Sequence, residues 1–427
     1  MMSTTMSETC SPRTIAVLGA GAPGLAYARE VERLGHRAIV LESAPYVGGP
    51  CTTEIIDGRL YDICGRMCSS EYRQLGALIA EMGLETEPTR PVYLFDHVRC
   101  ETVQLGTSDH RLSLKRYGEL QRLSYGKLSE PGLACAQPDL HLPVREWLSK
   151  HQVEDVFDTV GSFYTAAGYG YMTDDVPALF FAKLAAFTGL VTNPAPLFGH
   201  RAPFTVSGGM RQLWEKVAGE LGDVRCEAGV VRIDRTDAGV KLHTAKGTVS
   251  ADAVVLTIAL DQALHLIDPD PEERRIASRI QRIDYYTTLC RVSRLPRSGF
   301  YIPTRHVVPP GEPGRLVTFH SPYPDTDWCV CYSYGGDGLS PQEVTSRLAQ
   351  EVRLLGGELL EVRTQKRWAR MPHFSGPDIA AGIYESIEAR QGARNTYLAG
   401  SLPAFELNEC NITYSQQLAR RFFTPSA

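Results

Sequence analysis

Between positions 14 and 42 the apolar residues change period twice, and each change predicts an element. Thr14-Ile15-Ala16-Val17-Leu18 is an unbroken β-branched and apolar run, the pattern of a short buried strand. From Leu25 to Leu34 the apolar positions recur at helical spacing, and Gly35 supplies the stop. Arg37 to Leu41 is apolar again, a second buried strand, and it ends in Glu42.

The rest of the chain alternates in the same way. Tyr72 to Met82 predicts a helix, Tyr93 to Leu105 alternates like sheet, and residues 111 to 200 are mostly helical. Turns are expected at Glu130-Pro131-Gly132 and at Asn193-Pro194-Ala195-Pro196. Gly208-Gly209-Met210 opens a helix from Arg211 to Leu221. Short strands follow at Val224–Ala228, Val230–Arg235, Val240–Thr244, Gly247–Ser250 and Ala253–Ile258. The last of these is wholly apolar and is expected beside the first strand. More sheet is expected over 285 to 335, then a helix from Pro341 to Leu355 capped by Ser340, and a strand from Glu361 to Trp368. Tyr397 to Ser401 reads as a last strand and turn, and Asn411 to Phe423 as the closing helix. Strands of the first type recur far apart, so the expected domains are discontinuous. One takes residues 12–72, 203–275 and 390–427. A substrate-binding domain takes 73–110 and 276–389, and a helical subdomain takes 111–202.

Composition narrows the class without changing this layout. A chain of 427 residues fits two or three domains, and 43% hydrophobic with 22% charged residues is ordinary for a globular protein. Net charge is −5 with Lys and Arg scattered, which argues against a nucleic-acid partner. Met1 to Arg13 lacks the apolar core of a signal peptide, so a cytoplasmic location is expected. The longest apolar stretch, Val176 to Thr192, is broken by Pro177, Lys183 and Gly189 and is too short for a membrane span. The 11 cysteines include two close pairs, Cys64 with Cys68 and Cys329 with Cys331. Neither has a partner at zinc-site spacing, so free thiols and no metal are expected.

Candidate chemistry enters between the first strand and the helix. Gly19-Ala20-Gly21-Ala22-Pro23-Gly24 has the spacing G-x-G-x-x-G. Gly19 permits the tight turn, Gly21 the approach of a pyrophosphate, and Gly24 close packing of helix on strand. The helix N-terminus offers free N–H groups and partial positive charge to phosphate. Glu42 is placed to accept the ribose hydroxyls, and its charge argues against a 2′-phosphate. A dinucleotide site follows. Val47-Gly48-Gly49-Pro50 adds a second glycine pair, which suits FAD better than NAD.

With these residues in view, the chain resembles the flavin amine oxidase and phytoene desaturase superfamily over nearly its whole length. Within it, the resemblance is greatest to the bacterial FAD-dependent polyunsaturated fatty acid double-bond isomerases. That closer likeness rests on Phe163-Tyr164-Thr165-Ala166-Ala167-Gly168-Tyr169-Gly170-Tyr171 with Asp175-Val176-Pro177-Ala178. It rests also on Gly382-Ile383-Tyr384-Glu385 through Gln391–Thr396 to Ala399-Gly400, with Tyr414-Ser415 and Arg421-Phe422-Phe423. The resemblance implies a Rossmann-like FAD-binding α/β domain of amine-oxidase type, a mixed-sheet substrate domain and a helical subdomain. It implies that Gly19, Gly21, Ala22, Pro23, Gly24 and Glu42 hold the ADP half of FAD. Gly48 and Gly49 would pass under the pyrophosphate, and Val230 would hold adenine through its backbone. Gly400 and Ser401 would lie along the ribityl phosphate, and Asn411 and Ile412 would begin a helix aimed at the flavin. The FAD is expected to be non-covalent, because Ile383 stands where covalent amine oxidases can carry the linking cysteine. Tyr384 falls where amine oxidases place an aromatic residue over the flavin.

Three departures from the family pattern stand out. Pro50 occupies a commonly basic position, Ser401 replaces a commonly acidic residue, and the arginine expected to hold a fatty-acid carboxylate has no direct counterpart. Arg90 and Arg99 are the nearest substitutes. The resemblance implies an apolar or polyene small-molecule substrate, hydride abstraction to flavin N5 and its return to a different carbon. Tyr169, Tyr384 and Arg66 are the candidate catalytic residues, and Phe163, Phe187 and Phe374 the candidate lining. Arg66 is equally open to a structural ion pair, and His373 reads as a satisfied core histidine. Two other readings stay open: an oxidase or desaturase passing electrons to oxygen, and a non-catalytic binding protein, against which the intact glycine pairs argue. Substrate identity and oligomeric state are not legible.

Overall fold

The structure is a computed structural model that describes residues 11–96, 101–104, 111–134, 139–187, 203–304 and 312–425. Two compact units divide it. The first comprises Met1–Gly49, Arg211–Ile280 and Ile383–Ala427, the second Pro50–Met210 and Gln281–Gly382.

The first unit is built on a parallel five-stranded sheet. The strand Thr14–Leu18 (β1) lies at its centre, between Arg37–Leu41 (β2) and Ala253–Leu256. Thr396–Leu398 and Val224–Arg225 form the edges. Ile15, Ala16 and Val17 are fully buried, because a parallel sheet covered on both faces leaves no polar side. Each large side chain so enclosed contributes roughly 1.5–3 kcal/mol. The expected pairing of Ala253–Leu256 with β1 is observed, in the register Ile15 opposite Ala253 through Leu18 opposite Leu256.

The helix Ala22–Arg33 (α1) follows β1 directly. Its buried face carries Leu25, Ala26, Tyr27, Ala28 and Val31. The closing helix, Asn408–Phe423, packs on it: Tyr27 and Phe423 meet edge to face at 6.4 Å, and Arg420 donates to the buried Glu30 carboxylate at 2.7 Å. An antiparallel sheet of Val230–Thr236, Gly239–Thr244 and Gly247–Ala251 completes the unit. In it Arg235, with no exposed side-chain surface, forms a two-pronged pair with Glu273 at 2.6 and 2.9 Å.

The second unit carries a seven-stranded mixed sheet. Its order is Glu358–His373, Gln281–Ser293, Trp328–Tyr334, Leu316–Ser321, Gly299–Pro303, Val92–Asp96 and Glu101–Gln104. The strand period of two sorts its faces. Cys290, Val292, Cys329 and Cys331 pack under Leu348 and Val352 of the helix Pro341–Leu354. Tyr285, Leu289, Val330, Tyr332 and Tyr334 face the other way. The helix begins at the expected cap: Glu343 N–H donates to Ser340 Oγ at 3.2 Å, and Ser340 N–H to the Glu343 carboxylate at 2.8 Å.

Several expected boundaries shift. Residues 50–72 join the second unit, because the hairpin Thr53–Ile56/Arg59–Asp62 leads Tyr61 and Ile63 into the aromatic sheet face. Residues 203–210 do the same, since Phe204–Val206 pairs with Thr86–Pro88. The helix Ile383–Ala389 belongs instead to the first unit, held by Tyr414 and Arg421 on its Glu388. The helices Arg111–Ser124, Val144–Lys150, Val156–Ala166 and Ala178–Ala186 are part of the second unit and not a separate body. Tyr334 explains part of this: its hydroxyl donates to Thr165 O at 2.5 Å and accepts from Gly170 N–H at 3.0 Å. The turn expected at residues 193 to 196 lies outside the described residues. No described helix is long and apolar enough to cross a membrane.

Candidate functional site

The first unit gathers the expected cofactor residues at the carboxyl ends of its parallel strands, where ligands bind in open α/β sheets. The turn after β1 is tight: Gly19 has φ +105°, and a Cβ on Gly24 would lie 2.0 Å from Gly19 O. Gly21 caps α1 with no side-chain bond to its N–H groups, Pro23 stands in the first turn, and no acid is there. The free N–H groups are therefore left for an anion. Gly48 and Gly49 run against this turn. Gly48 N–H donates to Ala20 O at 2.8 Å, and a Cβ on Gly49 would sit 3.4 Å from Gly21 Cα.

Glu42 ends β2 with its carboxylate turned back to the glycine turn. One oxygen accepts from Ala20 N–H at 2.8 Å, the other from Ala44 N–H at 2.8 Å. Val230 lies close by: Ala228 N–H donates to Glu42 O at 2.8 Å, and Val230 begins the strand two residues later. Gly400 closes the last strand, and a Cβ there would lie 2.4 Å from Thr257 O. Ser401 and Asn411 meet: Asn411 Nδ2 donates to Ser401 Oγ at 3.3 Å and to Leu407 O at 2.9 Å. Asn411 Oδ1 is buried without a hydrogen-bond partner.

One expectation about this helix is corrected. It starts at Asn408, not Asn411, and Asn411 N–H is already spent on Leu407 O at 2.9 Å. Asn411 and Ile412 therefore form its second turn, and the unspent N–H groups precede them. Thr257, read only as part of the strand Ala253–Ile258, was not singled out as a site residue; the strand ends at Leu256. Its hydroxyl donates to Leu18 O at 2.7 Å and stands 2.6 Å from where a Gly19 Cβ would be, at the meeting of β1 and the last strand. Its place, just past the end of the strand neighbouring β1, was the available signal.

These features fit FAD. The cradle has no room for a Cβ at Gly19 or Gly24, an anion-seeking helix end faces it, and an orphaned amide oxygen is available to a donor. Gly19, Gly21, Ala22, Pro23, Gly24, Glu42, Gly48, Gly49, Val230, Gly400, Ser401 and Asn411 are the residues that would hold it. Tyr384 also belongs to the first unit, 2% exposed at the start of the helix Ile383–Ala389.

The other expected site residues lie in the second unit. Tyr169 is 6% exposed and its ring is 5.6 Å from that of Tyr164. Its flanking glycines allow close docking: a Cβ on Gly168 would meet the Tyr285 ring at 3.2 Å, and one on Gly170 would meet Ile283 at 3.0 Å. Phe163 and Phe187 keep a trace of exposure, whereas Phe374 has none and is core. Lys183 Nζ stands 5.7 Å from the centre of the Phe187 ring. His373 is satisfied as expected, with Nδ1 bonded to Met371 O at 2.6 Å, and burial lowers its pKa. Arg90 is exposed and donates to Pro322 O at 3.0 Å. Arg99 lies outside the described residues.

Arg66 rests on a neutral base, not on a carboxylate. Its Nη1 lies 2.6 Å from Nδ1 and 2.8 Å from Nε2 of His320, a fully buried residue that the sequence reading missed. The His320 ring stacks on Phe300 at 4.1 Å, and Arg66 lies 5.4 Å over that same ring. Burial, then the charges of Arg66 and Arg90, hold the His320 pKa well below its ordinary value. Unfolded histidine takes a proton below about pH 6.5, which folded His320 refuses. Stability is therefore expected to fall as pH drops through that value. The melting temperature should decrease between pH 7.5 and 5.5, and decrease less in His320→Gln. An equal fall in both proteins would remove His320 as the cause.

The expectation that neither close cysteine pair has a third ligand nearby is corrected. Cys329 and Cys331 do have a third thiol beside them, Cys290, from 39 residues away across paired strands.

Comparison with known proteins adds the following. A family profile described as flavin containing amine oxidoreductase matches residues 22–401. The putative flavin-containing monoamine oxidase AofH of Mycobacterium tuberculosis is 29% identical over 273 residues, 60% of this chain. The chain spans about 60% of the length of that curated relative. Among solved structures, a CLA-producing fatty acid isomerase from P. acnes superposes with a TM-score of 0.88 at 25% identity, covering 96% of this chain and 99% of its own. Cyclohexylamine oxidase from Brevibacterium oxydans superposes at 0.68 with 18% identity, covering 96% of this chain and 99% of its own, a likeness of fold.

Proposed function

The chain belongs to the flavin containing amine oxidoreductase family, whose cofactor is FAD, and on that premise we propose that it moves a double bond along a long apolar or polyene substrate. The observation that carries this reading is the whole-length likeness to the fatty acid isomerase, at a TM-score of 0.88 against 0.68 for the cyclohexylamine oxidase. We propose further that the FAD is held non-covalently.

Bound FAD supplies a reversible hydride acceptor. The protein's own part is to bind, orient and exclude water. The aromatic face of the second unit suits an apolar chain, and ring faces stabilise positive charge developing at an allylic carbon. Its buried titratable groups suit an acid end better than an ammonium end. Arg66 Nε is buried with no hydrogen-bond partner, His320 beside it is neutral, and the guanidinium, balanced in part by the buried Asp62 carboxylate, would repel a cationic amine. Tyr169, Tyr384 and Arg66 are the residues we propose to act on the substrate.

A second reading, an amine-directed oxidase, is favoured by the likeness to AofH. One experiment separates the two. The FAD-loaded protein is given a polyunsaturated fatty acid deuterated at its doubly allylic carbon. Isomerisation should yield product of unchanged mass, deuterium retained, with no oxygen consumed. Stoichiometric peroxide, or a product two hydrogens lighter, would move the assignment to oxidase or desaturase.

A further inference from the structure

Three thiols that lie 39 and 2 residues apart in sequence converge on one face of the large sheet. Cys290 stands opposite Cys329 in the antiparallel register, and Cys331 is two positions further along the same strand. Their sulfurs are separated by 3.9 Å (Cys290–Cys329), 3.6 Å (Cys290–Cys331) and 3.7 Å (Cys329–Cys331). All three are free and buried. The near-equal spacing differs from a pairwise S–S bond of about 2.05 Å. A point in the sulfur plane equidistant from all three lies about 2.2 Å from each, against a usual zinc–thiolate length of about 2.3 Å.

We propose that Cys290, Cys329 and Cys331 form a three-coordinate site for a soft monovalent ion, copper(I). Sulfur ligands select soft ions. Zinc ordinarily completes four ligands, and no fourth His, Cys, Asp or Glu donor joins this group among the described residues. Charge points the same way. The walls are Leu316, Phe319, Leu348 and Val352, where an uncompensated charge is costly. A monovalent ion needs only one thiolate to be neutral there, whereas a divalent ion needs two. Binding forms three Cu–S bonds, one to a thiolate whose proton passes to solvent and two to neutral thiols, and moves no electron. Access exists on one side. Cys329 is part of the wall of a small cleft of about 10 Å³, room for about one water, whose other walls include Ser321, Thr326 and Asp327.

The test uses the full-length, FAD-loaded protein, reduced and anaerobic, titrated with copper(I) against a chromogenic copper(I) chelator. Wild type should hold one equivalent that the chelator removes with difficulty. Cys290→Val, which keeps an apolar side chain of similar size, should weaken that site by roughly two orders of magnitude. Cys226→Ser, outside the cluster, should change nothing. X-ray absorption on the copper-loaded wild type should give three sulfur neighbours, and copper should protect Cys329 from alkylation in the wild type. These last two readouts stand even if Cys290→Val fails to fold. Equal retention by wild type and Cys290→Val, a shell without three sulfurs, or a Cys290–Cys329 disulfide in reduced preparations would overturn the proposal.

Discussion

Gly24→Ala is expected to abolish FAD retention. An added Cβ would lie 2.0 Å from Gly19 O, 3.1 Å from Gly19 C and 3.3 Å from Val17 Cγ1. The first two are backbone atoms, so no rotamer change relieves the overlap. Either α1 lifts from β1 or the turn opens, and both move the helix N-terminus from the glycine cradle. The ratio of bound flavin to protein after purification should fall to near zero, and the dissociation constant on reconstitution should rise by roughly 100-fold or more. Gly76→Ala is the control. Gly76 lies within the helix Arg73–Glu81 with nothing near its would-be Cβ, and alanine there stabilises by about 1 kcal/mol or less. Full flavin content in Gly24→Ala would show that the cradle does not hold the cofactor.

The second large effect concerns stability. Arg235→Ala should cost roughly 3–5 kcal/mol, because it takes the two-pronged partner from the buried Glu273 carboxylate and leaves it only Arg390, at 3.9 Å. Arg235 also donates to Asp268 O at 2.7 Å, while Glu273 accepts from Asp270 N–H at 2.9 Å in the cap of the helix Pro271–Ala277. At a few degrees per kcal/mol, a fall in melting temperature of roughly 10 °C is expected. Replacing both partners, Arg235→Met with Glu273→Met, should recover at least half of the loss, since it removes the orphaned charge with its partner. A small effect of Arg235→Ala, or no recovery in the double variant, would contradict the account. Arg235 lies in the strand opened by Val230, so FAD occupancy should fall in parallel.

The cofactor half of the site was legible because its parts are consecutive. β1, the glycine turn, α1, β2 and Glu42 occupy a single stretch, and each is specified by local pattern. Contacts between distant segments were not. Cys290 meets Cys329, Arg66 meets His320, and Thr257 meets Gly19, and no short-range period encodes any of these. The start of the closing helix was misplaced for a local reason: its cap is Leu407, whose side chain makes no capping bond, so no Ser, Thr or Asp marked the start. Tyr61 and Ile63 displayed apolar alternation, but alternation does not say which sheet receives the strand. Phe374 was indistinguishable from Phe163 for the same reason, since aromatic character does not separate an enclosed ring from one at a cavity wall.

The three-part assembly of the first unit has a consequence for biosynthesis. Its sheet needs Thr396–Leu398 beside Ala253–Leu256, and α1 is covered by a helix ending at Phe423. A chain emerging from the ribosome exposes its nucleotide-gripping turn early, yet lacks the edge strand and closing helix until residue 423 has been made. Loading with FAD is thus expected only after Thr396–Phe423 has been made. Until then the apolar faces of β1 and α1 are the surface that a chaperone would shield.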